Sequence, residues 1–118
     1  MADLLAISSA VIDGQKTEED VGPMNRVNFR LSEIADKVAV VEAFSHCVLF
    51  ETDDGLVAFD TSGPLGGERV VAAIREWRKD PFNTLVYTHG HIDHVGGCGA
   101  FIDDASTSKF GKPHFHGR

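Results

Sequence analysis

Four side chains of the kinds that bind metal ions fall within six consecutive residues: His89, His91, Asp93 and His94. In an extended segment alternate side chains project to one side, so His89 and His91 can converge on a single ion. Asp93 and His94 follow as the chain turns and can face a second ion. Imidazole nitrogens and carboxylate oxygens hold Zn²⁺ at ~2.0–2.2 Å. Iron and manganese accept the same donors, so the residues alone do not choose the metal. A single histidine in a loop is ordinarily just solvated. Four donors in this order, after an apolar strand and before Gly96-Gly97, point to a metal centre. Gly90 and the glycine pair would let backbone approach the ions closely.

The elements that must position this cluster can be read upstream of it. Val38-Ala39-Val40-Val41 and Cys47-Val48-Leu49-Phe50 are strand-like runs. Asp53-Asp54-Gly55 supplies tight-turn chemistry, and Leu56-Val57-Ala58-Phe59 resumes the strand as far as Asp60. Gly63–Gly67 is a loop. Val70, Ile74 and Trp77, with Val71 beside them, make one apolar helical face opposite Glu68, Arg69, Arg75, Glu76 and Arg78. Asp80-Pro81 ends that helix, and Thr84–Tyr87 is a short strand that delivers the histidines. A strand–helix–strand order predicts parallel pairing, with ligands beyond the strands' carboxyl ends. Residues 1–36 are expected to be a loose N-terminal arm, or to hold a first strand in which Val27, Phe29 and Leu31 alternate. Residues 97–102 are expected to start a helix that Asp103-Asp104 closes. Residues 105–112 are polar, and Pro113-His114-Phe115-His116 begins an element that Gly117-Arg118 cuts short.

Composition narrows the classes. With 18 acidic and 11 basic residues the net charge is −7, which repels phosphate backbones and anionic membrane surfaces. No nucleic-acid or membrane partner is expected; a small-molecule substrate is. Cys47 and Cys98 form no CxxC pair and are expected to be reduced thiols of a cytoplasmic protein. The N-terminus lacks the basic region of a signal peptide, and no apolar stretch reaches the ~20 residues that span a bilayer.

His89-x-His91-x-Asp93-His94 resembles the HxHxDH motif of the metallo-β-lactamase superfamily, and Asp60-Thr61-Ser62-Gly63 resembles that family's Asp-Thr-Gly segment. The form THGHIDHVGG, with the Phe44-Ser45-His46-Cys47 hairpin upstream, is most similar to the alkylsulfatase-like branch; glyoxalase II shares the THxHxDH pattern. The resemblance covers roughly residues 37–102. It implies an α/β fold, the N-terminal half of an αββα sandwich, with 37–118 forming a partial domain. It also implies that His89 and His91 bind a first zinc, and Asp93 and His94 a second. Asp93 would orient a metal-activated water as the catalytic group. Asp60 would hold the motif loop by accepting hydrogen bonds, unless it only forms a turn at its strand's end. His46 is read as a hairpin residue that could line the substrate cleft.

The family's complete site needs a further histidine, a bridging aspartate and a final histidine, not all of which this chain can supply. The expectation is therefore a truncated fragment of a metal-dependent hydrolase acting on an ester, thioester or sulfate ester, inactive alone. Otherwise a homodimer rebuilds the sandwich, or His114 and His116 stand in as ligands. A non-catalytic metal-binding module is the competing reading. A diiron redox member is disfavoured, because such members typically carry glutamate at the position of His91.

Overall fold

The N-terminal arm is helical in the computed structural model, which describes residues 1–23, 26–108 and 111–117. Helix α1 (Leu4–Ile12) starts where the Asp3 carboxylate accepts the Ala6 N–H at 3.0 Å. Helix α2 (Glu18–Val21) is a single turn closed by a capping box between Thr17 and Asp20. No side chain of either helix is buried. The expected loose arm is thus capped helix, lying outside the main core. Residues 24 and 25 fall outside the described residues.

Among the described residues six strands form one sheet in chain order: β1 (Leu31–Ala35), β2 (Val38–Val41), β3 (Cys47–Thr52), β4 (Gly55–Phe59), β5 (Phe82–Val86) and β6 (His114–His116). The first four are an antiparallel meander. Thr52 Oγ1 donates to the Gly55 carbonyl at 2.7 Å and accepts from Asp54 N, which closes the β3–β4 turn. Helix α3 (Gly67–Trp77) then carries the chain over the sheet, and β5 pairs parallel to β4 as the strand–helix–strand order requires. After the one-turn helix α4 (Ile92–Val95) and helix α5 (Cys98–Ser106), β6 adds in parallel beside β5.

The first strand does not run over Val27–Leu31. The N–H groups of Asn28 and Phe29 both donate to the Glu42 carbonyl, at 3.2 and 2.7 Å, so two residues oppose one in a bulge. Phe29 sits at φ 56°, which breaks the alternation, and regular pairing begins at Leu31. At the other end α5 passes Asp103-Asp104 and runs to Ser106. Ala105 is buried, and Asp104 pairs with Arg75 of α3 at 2.7 Å, so tertiary packing extends the helix. The C-terminal segment that begins at Pro113 forms strand β6. Of the polar stretch before it, residues 109 and 110 lie outside the described residues, as does Arg118.

The core lies on one face of the sheet. Val41, Cys47, Leu49, Leu56, Ala58 and Leu85 point inward onto Val70, Val71 and Ile74 of α3 and Phe101 of α5. Trp77, the fourth residue of the expected helical face, packs partly buried against this cluster while its indole N–H donates to Glu33. By strand alternation Val48, Phe50, Val57 and Phe59 take the opposite face, where they are half-buried or exposed. Phe50 and Phe59 meet edge to face there at 5.5 Å. Among the described residues no helix is long and apolar enough to cross a membrane.

Phe101 is fully buried, 4.7 Å from the Phe82 ring, and it anchors the helix that follows the histidine motif. Phe101→Ala is expected to destabilise the fold by about 3–5 kcal/mol, read as a lowered midpoint in urea unfolding.

Candidate metal centre

β4 and β5 end side by side, and everything that shapes the histidine segment grows from those two ends. Asp60 extends the β4–β5 ladder, its N–H donating to the Val86 carbonyl at 2.8 Å. It then takes φ 63°, a left-handed conformation that aspartate tolerates better than most residues. This turns the buried Asp60 carboxylate toward the motif, where it receives three donors. Thr88 N donates to Oδ1 at 2.8 Å, Thr88 Oγ1 to Oδ2 at 2.7 Å, and the His94 Nδ1 ring nitrogen lies 2.7 Å from Oδ2.

Those bonds fix which ring nitrogens are available. A carboxylate only accepts, so the His94 proton sits on Nδ1 and Nε2 is left as a donor atom for an ion. Thr88 Oγ1 gives its own proton to Asp60 and lies 3.0 Å from His89 Nδ1, so it can accept there. That leaves Nε2 of His89 free in the same way. His91 caps α4: its carbonyl accepts the N–H groups of His94 and Val95, and its ring is exposed.

The rings gather into one cluster rather than two separate pairs. His89 lies 4.7 Å from His91 and 3.9 Å from His94, centroid to centroid. The segment is not extended as expected; it bends at Thr88-His89, which brings His89 between the other two. Asp93 Oδ2 is 3.4 Å from His94 Nε2. Donor chemistry therefore fits divalent metal binding, with three imidazoles and a carboxylate on one short loop. Even so, among the described residues no group of three or more His, Cys, Asp or Glu side chains is arranged to hold one ion.

Sequence reasoning missed two serines. Ser45, at φ 62° in the β2–β3 turn, places its hydroxyl 2.6 Å from Asp93 Oδ2 and 3.0 Å from His94 Nε2. Its hydrogen bond holds the Asp93 carboxyl below the usual carboxylate range. Ser62, also left-handed at φ 63°, donates to the Phe44 carbonyl at 2.7 Å and so ties that turn to the end of β4. Nothing in residue type announced either, since both bonds join segments far apart in sequence. His46 is engaged inside its own turn, with Nδ1 within 3.2 Å of the backbone N and O of Ala43. His114 and His116 lie on β6 opposite Thr84 and Val86, and no contact joins them to the imidazole cluster among the described residues.

The expected role of the glycines changes. Gly90 has open space around it, whereas a Cβ at Gly97 would stand 2.0 Å from the Thr61 carbonyl oxygen. The glycine is needed so that the α4–α5 turn can lie on the Asp60–Gly63 segment, where Gly97 N donates to Ser62 O and Thr61 N to His94 O. Beside Asp93 runs a groove of ≈ 500 Å³, walled by the exposed Phe44, Leu65 and Ile92, with Arg69 stacked on Phe29 at its rim. A larger concavity, ≈ 710 Å³, lies around Arg26, Glu42 and Trp77 and contains no motif residue.

The sequence profile of the Metallo-beta-lactamase superfamily matches residues 40–116. An (R)-specific secondary-alkylsulfatase from Pseudomonas sp. is 34% identical over 86 residues, covering 70% of this chain and 13% of its own length. The structure of a stereoselective inverting sec-alkylsulfatase from Pseudomonas sp. superposes with a TM-score of 0.54 at 32% identity, covering 68% of this chain and 14% of that one. A subclass B3 metallo-β-lactamase of Bradyrhizobium japonicum superposes at 0.60 with 20% identity, over 68% and 31%; this is a likeness of fold alone. The chain spans 11% to 32% of the length of the curated relatives it matches.

Removing the Asp60 carboxylate leaves the Thr88 N–H and hydroxyl without their acceptor and frees the His94 ring. Asp60→Ala is expected to cost about 2–3 kcal/mol of stability and to weaken zinc binding on the order of 10–100-fold. Unfolding curves and competitive zinc titration measure the two effects separately.

Proposed function

The chain belongs to the metallo-β-lactamase superfamily, and from that premise we propose that it carries the metal-binding segment of a hydrolase acting on an ester or sulfate-ester bond. The observation that carries the reading is the imidazole cluster at the ends of parallel β4 and β5, with the Asp60 carboxylate on Nδ1 of His94. In this reading His89 and His91 hold one ion, and Asp93 and His94 contribute to a second. When bound, zinc supplies Lewis-acid polarisation and makes water nucleophilic at neutral pH.

The chain's own groups do the rest. Asp60 and Thr88 keep protons on the Nδ1 side of His94 and His89, so the Nε2 atoms are the ones left to bind an ion. Asp93, held ionised by Ser45, is an acceptor positioned to orient a water. The groove of Phe44, Leu65 and Ile92 beside Asp93 offers an apolar wall for the hydrocarbon part of a substrate. The similarity to alkylsulfatases supports a sulfate ester with such a part.

A second reading, metal binding without turnover, is favoured by one observation: no three ligands stand ready around a single point among the described residues. Hydrolysis separates the two. A longer protein that carries this segment together with the family's remaining ligands, stripped with a chelator and reloaded with zinc, is expected to regain cleavage of a long-chain alkyl sulfate. The double variant His89→Ala/His91→Ala is expected to lose on the order of 100-fold or more in kcat/KM. Stoichiometric zinc without turnover on alkyl sulfates, esters or thioesters would favour the module instead.

A further inference from the structure

The β2–β3 turn reaches across 48 residues of sequence to touch the metal motif, and it does so through one atom. Ser45 Oγ lies 2.6 Å from Asp93 Oδ2 and 3.0 Å from His94 Nε2, and those two atoms are themselves 3.4 Å apart. The hydroxyl therefore joins the two donor atoms assigned above to a second ion, and touches neither His89 nor His91 by any hydrogen bond described. Its turn is held on both sides: His46 Nδ1 bonds the Ala43 backbone within it, and Ser62 Oγ bonds the Phe44 carbonyl from β4. Ser45 also sits at φ 62°, where an L-residue pays a conformational cost that glycine escapes. Backbone preference alone would therefore favour glycine at this position; what serine adds is the hydroxyl.

We propose that Ser45 is a positioning residue for the second metal ion, holding the Asp93 carboxylate at its spacing from His94 Nε2 and leaving the His89/His91 pair untouched. The inference rests on the metal-binding reading given above. The hydroxyl proton goes to Asp93 Oδ2, so Ser45 restrains the rotation of that carboxylate, as outer hydrogen bonds do for ligating groups, and the lone pair of the neighbouring His94 Nε2 is left for the ion. The consequence is selective: losing Ser45 lowers affinity for one ion of two, whereas losing Asp60 disturbs the whole loop.

Two variants separate positioning from folding. Ser45→Ala removes the hydroxyl and keeps the strained backbone; Ser45→Gly removes the hydroxyl and relieves the strain. The readout is titration of the metal-free protein with cobalt(II), following the visible absorption bands of each bound ion, together with a thermal melt. Both variants are expected to bind the first ion like wild type and the second on the order of 10-fold or more weakly, with Ser45→Gly melting no lower than wild type. Ser45→Thr, which restores a hydroxyl, is expected to recover part of the second-ion affinity. Unchanged second-ion affinity in both variants, or equal weakening of both ions, overturns the positioning role while leaving the metal site standing. Wild-type protein that binds no second ion overturns this inference, and wild-type protein that binds none overturns the functional reading as well.

Discussion

The Asp60 carboxylate is the interaction on which the rest of the site depends. It is buried at the end of β4, turned by a left-handed backbone, and it takes three hydrogen bonds from the segment that follows β5. A buried carboxylate without partners is costly, so these bonds favour the motif-loop conformation that satisfies it. That same conformation decides the tautomer of His94 and, through Thr88, the available nitrogen of His89. Fold and chemistry meet there: β4 and β5 exist because of apolar alternation, and their paired ends place the Asp60 carboxylate against Thr88 and the His94 ring.

Around that anion the backbone is under strain in a pattern that follows the site. Of the five non-glycine residues with positive φ among those described, Ser45, Asp60 and Ser62 all surround the motif. Such conformations persist only where neighbouring bonds over-determine them. Here the bonds are Ser62 to Phe44, Ser45 to Asp93 and His94, and Asp60 to Thr88 and His94. Gly97 completes the arrangement by letting the α4–α5 turn lie flat on Thr61. The two ends of the sheet segment and the two turns above it form one braced unit.

Much of this was legible in the sequence, and the remainder was hidden for identifiable reasons. Val38–Val41, Cys47–Phe50 and Leu56–Phe59 announce strands because their alternation and β-branching are local properties. Val70, Ile74 and Trp77 mark α3 by helical period, and the His-x-His-x-Asp-His spacing marks the motif. The bulge at Asn28-Phe29 was not legible, since it depends on one carbonyl of Glu42 taking two N–H groups. The length of α5 depends on an ion pair with Arg75 on another helix. Ser45 and Ser62 act through bonds to residues 49 and 18 positions away, and nothing in their immediate neighbours signals either. Gly97 was read as a close approach to metal and proves to be a close approach to backbone.

Anomalous diffraction at the zinc edge, from crystals soaked in zinc, tests the central claim most directly. The account predicts a peak within about 2.0–2.2 Å of ring nitrogens of His89 and His91, and a second beside Asp93 and His94. Zinc found only at other surface histidines or carboxylates, with the His89–His94 segment unoccupied at saturating metal, would contradict it.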